Sequence, residues 1–328
     1  MATDMEVGVR VKVEGVEAST DGSAVLPVGN FGAILRENRD EKLKIETTAK
    51  GTVVQGDRSE FKLPAQDPEE FPDVATFDEK KYHIISAPLF RQLILRTEFA
   101  TDMESSRYAL GGVLVELDAN KVVGVGTDGR RLAKMEGPAE AVGGHKTGDA
   151  MTIIRTPSLR QIARAISDSD GVVHLAARGN DVLIRTDRAT FYSRLVEGRF
   201  PRWRDVFPQR HDAVKIEMTV GPLHSALRQA AVMTNQESRG IDFTFGEGTL
   251  KLVAVTADIG QSRIEMPIAY DGKPIVVTLD QRFVTDFLKV LNPEENITLE
   301  IENAESAAVF YATDAAYGYV VMPLSRDR

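Results

Sequence analysis

Few residues in this 328-residue chain are typed and spaced for chemistry. Gly124-Val-Gly126-Thr-Asp-Gly129 matches GxGxxG and follows an apolar run. In a dinucleotide site such glycines let the backbone approach a pyrophosphate held at the start of a long helix. Here Gly137-Pro138 leaves room for barely two helical turns, so a turn between extended runs fits better. A nucleotide-binding enzyme built on Gly124 to Gly129 stays as an alternative. Asp4, Asp128 and Asp258 lie 124 and 130 residues apart. Gathered together, three carboxylates could hold magnesium. Spacing of that size puts each in a separate domain, and Asp after Thr at a strand end is a turn former. His83, His145, His174, His211 and His224 show no ligand spacing, which leaves surface or satisfied core positions. The chain has no cysteine, no GxSxG elbow and no SxxK. These residues predict no catalytic centre, no metal and no cofactor.

The elements that carry those aspartates repeat. Gly126 to Pro138, GTDGRRLAKMEGP, has counterparts at Ala2-Thr-Asp-Met-Glu-Val-Gly-Val and at Val255 to Pro267. In each, a strand-like run meets a Thr/Asp turn and a second extended run follows. A period of one domain length implies three copies of one domain, at residues 1–80, 81–209 and 210–328. Alternating Val7, Val9, Val11 and Val13 read as a half-buried strand. Helices are expected at 30–36, at Leu89 to Ala100, from Arg155-Thr-Pro to Ile166, at Leu223 to Met233 and at Asp280 to Leu291. Strands are read at 82–85, 214–220, 242–245 and 250–256, from the apolar runs 108–117 and 121–126, and as the three that close each unit, at 43–47, 51–55 and 58–63, at 172–177, 181–186 and 190–195, and at 297–301, 307–311 and 317–322. The fold class is therefore α+β, two helices per copy on predominantly antiparallel sheets. Thr127 lies 39 residues after Pro88 and Thr256 lies 34 after Pro222, yet Thr3 has two residues before it. By this symmetry the first copy is expected to lack its opening strand, first helix and next strands.

Composition narrows the class further. Apolar residues make up 42% of the chain, enough for two or three cores. The start has no basic and apolar leader pattern, and no run reaches the ~20 residues of a spanning helix. With the missing cysteine this predicts a reducing, cytoplasmic setting and no membrane partner. A net charge of −9 argues against a uniformly basic nucleic-acid binder, but a local basic stripe is compatible with it.

Thr127-Asp-Gly-Arg-Arg-Leu-Ala133, Glu197-Gly-Arg-Phe-Pro201, Thr234-Asn-Gln-Glu-Ser-Arg-Gly240 and Tyr319-Val-Val-Met-Pro-Leu324 occur in order along the chain. In that order they resemble the bacterial DNA polymerase III beta subunit, the sliding clamp. The resemblance implies a ring-shaped homodimer around duplex DNA, bound without sequence preference. It implies a non-catalytic processivity factor whose partners are the polymerase III catalytic subunit, the clamp loader and other proteins with clamp-binding motifs.

The same resemblance implies a partner-peptide groove between the second and third domains. Thr127, Gly129, Arg130, Arg131 and Leu132 would line it from the turn. Leu110, Pro201, Val206, Phe283 and Ala308 would add to it, and so would the ending Val320, Val321, Met322, Pro323 and Leu324. Asp205, Ser238 and Asp280 also map there and differ in type from the family's common residues.

Helix arginines would meet DNA phosphates: Arg36, Arg91, Arg96, Arg155, Arg160, Arg164, Arg228 and Arg282. Tyr108 would approach DNA from the loop 101–108, where Glu104 is an unfavourable charge. Phe61 and Leu63 would pair with Val232 and Met233 of another chain at the ring joint. A second alternative is a clamp-derived scaffold that cannot close a ring.

Overall fold

The computed structural model describes residues 1–105, 109–147, 151–166, 171–207, 213–313 and 316–325. Tyr108 lies outside the described residues. Six α-helices are described: α1 (Val28–Glu37), α2 (Ala87–Thr97), α3 (Thr156–Ala165), the short α4 (Trp203–Val206), α5 (Val220–Ala230) and α6 (Gln281–Lys289). Local sequence explains their starts. Ser86 accepts a hydrogen bond from the Leu89 amide and Pro88 fills the first turn of α2. The Asp280 carboxylate caps α6 at the Arg282 amide. In α2 and α5 the last expected turn is a separate 3-10 turn, at Glu98–Ala100 and Ala231–Met233.

The copies repeat in space. The second and third each carry two long helices, packed α2 on α3 and α5 on α6. The described part of the first carries α1, with Ile34 packed on Val54 and Leu63. That small core stands apart from the large one, which runs through α2, α3, α5, α6 and the strands around them. Glycine permits the close layers. A Cβ on Gly124 would sit 2.4 Å from Leu93 Cδ2, and one on Gly126 would sit 2.1 Å from the Thr97 carbonyl oxygen. The GxGxxG stretch is thus a strand under α2 and then a hairpin turn, with Gly129 at φ +86°. No helix follows it, and the nucleotide reading falls.

Two sheets run through the boundaries between copies. A seven-stranded sheet joins the first two, where strand Val7–Val11 pairs with Ala189–Arg194. An eight-stranded sheet joins the second and third, where Arg131–Pro138 pairs with Tyr317–Val321. One rule describes both joints. The last strand of a copy pairs antiparallel with the strand after the Thr/Asp turn of the copy before it. Phe191 then faces Val9, and Tyr319 faces Ala133. Two strands of these classes stay at sheet edges: Glu60–Pro64, last in the first copy, and Gly260–Pro267, after the third turn.

Strands Glu140–Val142, Ile153–Arg155 and Ile275–Asp280 were not expected from sequence. The first two are only three residues long. The third runs without a break into α6, because Asp280 both ends the strand and caps the helix.

Candidate functional site

The groove is built on the outward face of the second joint. Strand alternation sends Leu132 and Val320 to that face, where they bury with Leu110, Val309, Phe200 and Trp203. Gly318 leaves room for Phe207, since a Cβ there would lie 2.4 Å from the ring. α4 is fixed by Glu116, which accepts from Trp203 Nε1 at 3.2 Å and from both Arg204 terminal nitrogens at 3.0 and 2.6 Å. The Arg204 guanidinium also lies 4.2 Å above the Trp203 ring. The end of the chain crosses the joint. The Met322 amide donates to the Arg130 carbonyl and the Leu324 amide to the Thr278 carbonyl, each at 2.9 Å. Met322, Leu324 and Val206 are left exposed, with Pro201 and Pro323 half-buried. Pro201 also lines a cleft of about 800 Å³ with Trp203, Asp205, Leu114 and Val123, and Met322, Leu324 and Val206 are not part of its lining. An apolar floor with exposed apolar side chains at its rim suits short peptides.

The Thr/Asp turn shapes one wall. Thr127 Oγ1 donates to the Arg131 carbonyl at 2.6 Å and accepts from the Gly129 amide at 3.1 Å. Asp128 Oδ1 accepts from the amides of Arg130 and Arg131. At Asp4 the same carboxylate oxygen takes the amides of Glu6 and Val7. These aspartates act as turn formers in separate copies.

Three models of one family match successive segments: the N-terminal domain of the DNA polymerase III beta subunit at residues 1–75, its central domain at 84–202 and its C-terminal domain at 204–325. The chain belongs to the DNA polymerase III beta subunit family. The beta sliding clamp of Pseudomonas putida is 27% identical, over 98% of this chain and 87% of that protein. That of Escherichia coli K12 is 24% identical over 98% and 87%. The crystal structure of the DNA polymerase III subunit beta from Pseudomonas aeruginosa superposes with a TM-score of 0.87, at 26% identity, covering 99% of this chain and 88% of that one. The three-domain α+β clamp fold holds, and the chain is a non-catalytic sliding clamp.

Several residues assigned to the groove from sequence sit elsewhere. Phe283, Ala308 and Val321 belong to the helix-covered core, on the opposite face of the sheet from Val320. Asp280 is buried, holding α6 and both Nε and Nη2 of Arg282. Ser238 donates to the Val255 carbonyl in the loop after α5. Arg130 is exposed, but Arg131 turns inward to the joint. Its nitrogens reach Asp128 at 2.9 Å, Asp286 at 2.8 Å and the Phe99 carbonyl at 2.8 Å. Its guanidinium lies 4.4 Å from the Phe283 ring centre and 5.4 Å from that of Phe99. Burial works against that charge, but Tyr319, Asp286 and Asp128 outweigh it and raise the pKa.

Helix surfaces present the cations. Arg36, Arg160, Arg164, Arg228 and Arg282 are exposed, and Arg91 is half-exposed. Arg96 is largely buried instead, 5.1 Å over the Tyr317 ring and 3.7 Å from Glu295, and serves the second joint. Arg155 pairs with Glu6 across the first joint. Lys289 joins Arg228 on the third copy's helices, and sequence reading missed it. His224, expected at a surface or satisfied core position, lies beside them with its Nε2 buried and without a hydrogen-bond partner among the described residues. The pKa of His224 is lowered, by burial first and then by Arg228 and Lys289. At the open edges Leu63 is buried under α1, so Phe61 and Val232 are the exposed pair, with Met233 half-buried beside Val232.

Proposed function

We propose that two copies of this chain close a cytoplasmic ring around duplex DNA and that the groove takes apolar peptides of the polymerase and the clamp loader. One observation carries the ring. Both joints within the chain obey one pairing rule, and that rule leaves Glu60–Pro64 and Gly260–Pro267 as complementary unpaired edges. Unpaired edges otherwise invite uncontrolled pairing. Burial agrees with this reading. Phe61 occupies the place of Phe191 and Tyr319, which are 4% and 0% exposed, yet it is 36% exposed. A second copy would cover it. A sedimentation mass at micromolar concentration tests the ring. A dimer supports it, and a monomer would favour the scaffold reading.

Met322→Ala with Leu324→Ala should weaken a polymerase-derived peptide by ~2–4 kcal/mol while leaving the melting temperature unchanged, since both side chains are exposed. Calorimetric titration reads this directly, and unaltered affinity would move the groove elsewhere.

Arginines on the helices would give a diffuse attraction that positions DNA without reading bases. Glu98 tempers it by accepting from Arg160 Nε at 2.6 Å. Glu98→Gln should free that charge and steepen the log–log salt dependence of duplex binding by about 0.9. Fluorescence anisotropy across a salt series measures the slope. An unchanged slope would take Arg160 off the DNA-facing surface.

A further inference from the structure

His83 and His145 lie against each other inside the second copy, away from groove and helix arginines. His83 is on strand Tyr82–Ser86, and His145 follows the edge strand Glu140–Val142. Both are buried. Their Nδ1 atoms are 2.7 Å apart, so one must donate and the other accept. The flanking backbone decides which. His83 Nε2 lies 2.8 Å from the Asp118 carbonyl, which can only accept, so the proton of neutral His83 is on Nε2 and its Nδ1 accepts from His145 Nδ1–H. His145 Nε2 is then without a proton, 3.2 Å from the donating Ala177 amide and 3.4 Å from the Ala177 carbonyl. One further proton could sit on His145 Nε2 against that carbonyl, but the Nδ1–Nδ1 contact holds a single proton and has no room for a second.

The relay ties three segments. Asp118 ends strand Gly112–Asp118 of the eight-stranded sheet, while Ala177 and His83 belong to the seven-stranded sheet. Two residues after His145, the Thr147 hydroxyl accepts from the Leu117 amide at 3.1 Å, and Lys146 and Thr147 border the cleft that holds Pro201 and Trp203. Charges around the pair are few. The Ala177 backbone and Glu79, itself tied to Arg178, favour a proton on His145, His83 and Lys81 disfavour one, and the Asp118 carboxylate accepts from the Ala119 amide. Burial outweighs them and lowers the His145 pKa. On the same sheet the His174 pKa is also lowered, by burial first and then by Arg185, whose Nε and Nη2 lie 3.1 and 2.8 Å from its Nδ1.

We propose that the His83–His145 relay is an acid-sensitive latch, which holds Glu140–Val142 and the following loop to the sheet and releases them when both rings are protonated. Two N–H groups would then face each other across the 2.7 Å Nδ1–Nδ1 contact. The sign follows from proton counts. The unfolded rings titrate near ~6.5, and the folded pair binds fewer protons below that value. The latch is therefore intact above that pH and is lost as pH falls through and below it.

The test uses the full chain with 15N-labelled histidine. At pH 7.5 the ring nitrogens should report opposite tautomers, Nε2–H for His83 and Nδ1–H for His145, and His145 should titrate below the ordinary histidine value. Hydrogen exchange, corrected for intrinsic rates, should show at least tenfold loss of protection in 140–147 and 172–178 between pH 7.5 and 5.5, with α5 unaffected. His145→Gln should flatten that dependence. Should this variant fail to fold, the wild-type ring measurement decides alone. Matching tautomers, ordinary titration of His145, or pH-independent protection would overturn the latch.

Discussion

Phe61→Asp should raise the dissociation constant of the proposed dimer about a thousandfold. The proposed ring contains the joint twice, so every cost counts twice. At each joint a carboxylate replaces an aromatic side chain whose counterparts at the other two joints are fully packed. A polar group buried without a partner costs ~2 kcal/mol by mutational measure. Two joints then cost ~4 kcal/mol, or three decades of affinity. The single chain should tolerate the change, because Phe61 is partly exposed at its edge and takes no part in the small core of Ile34, Val54 and Leu63. Sedimentation equilibrium over nanomolar to micromolar concentrations gives the constant, and circular dichroism checks that the first domain stays folded. A constant within threefold of the parent would mean that Glu60–Pro64 is not the closing edge.

Period-two and period-three-to-four patterns made the domains legible. The Thr/Asp turn recurs with a strand on either side, and that local signal is kept. The alternating valines do form a strand over Val7–Val11, but its burial fades along the chain instead of alternating, and Val11 and Val13 are exposed. What sequence blurred was side. Arg130 and Arg131 are neighbours on a strand, so one points out and the other in. The same alternation separates Val320 from Val321 and Ala308 from Val309. Arg91 and Arg96 are five residues apart on α2, about 140° around the helix, and cannot share a face. Only Arg91 keeps to the outer side, while Arg96 lies under the third domain's Tyr317. A resemblance transfers residues one by one, but which layer each enters depends on the strand or helix phase. The relay of His83, His145 and Ala177 was not legible at all, since its members lie 62 and 32 residues apart and meet only through sheet pairing.

Arg131→Met should be the most damaging single change within the chain. Methionine keeps much of the aliphatic volume but removes the charge that Asp128, Asp286 and the Phe99 carbonyl converge on. The arginine side chain is 10% exposed, and Asp128 and Asp286 are 17% and 34% exposed. Removing one partner of a buried pair costs ~3–5 kcal/mol. Asp286 reaches water in part, so ~3 kcal/mol is the better figure. Spread over the second and third domains, that lowers the melting temperature by ~6–12 °C. The loss belongs to the stranded carboxylates more than to the missing cation. Asp286→Asn in the Arg131→Met background should therefore recover part of the stability, although by itself it would weaken the parent. Scanning calorimetry on the four proteins of this cycle measures the coupling. If the two changes simply add, Arg131 holds the joint by packing on Phe99 and Phe283, and the ion pairs at its tip contribute little.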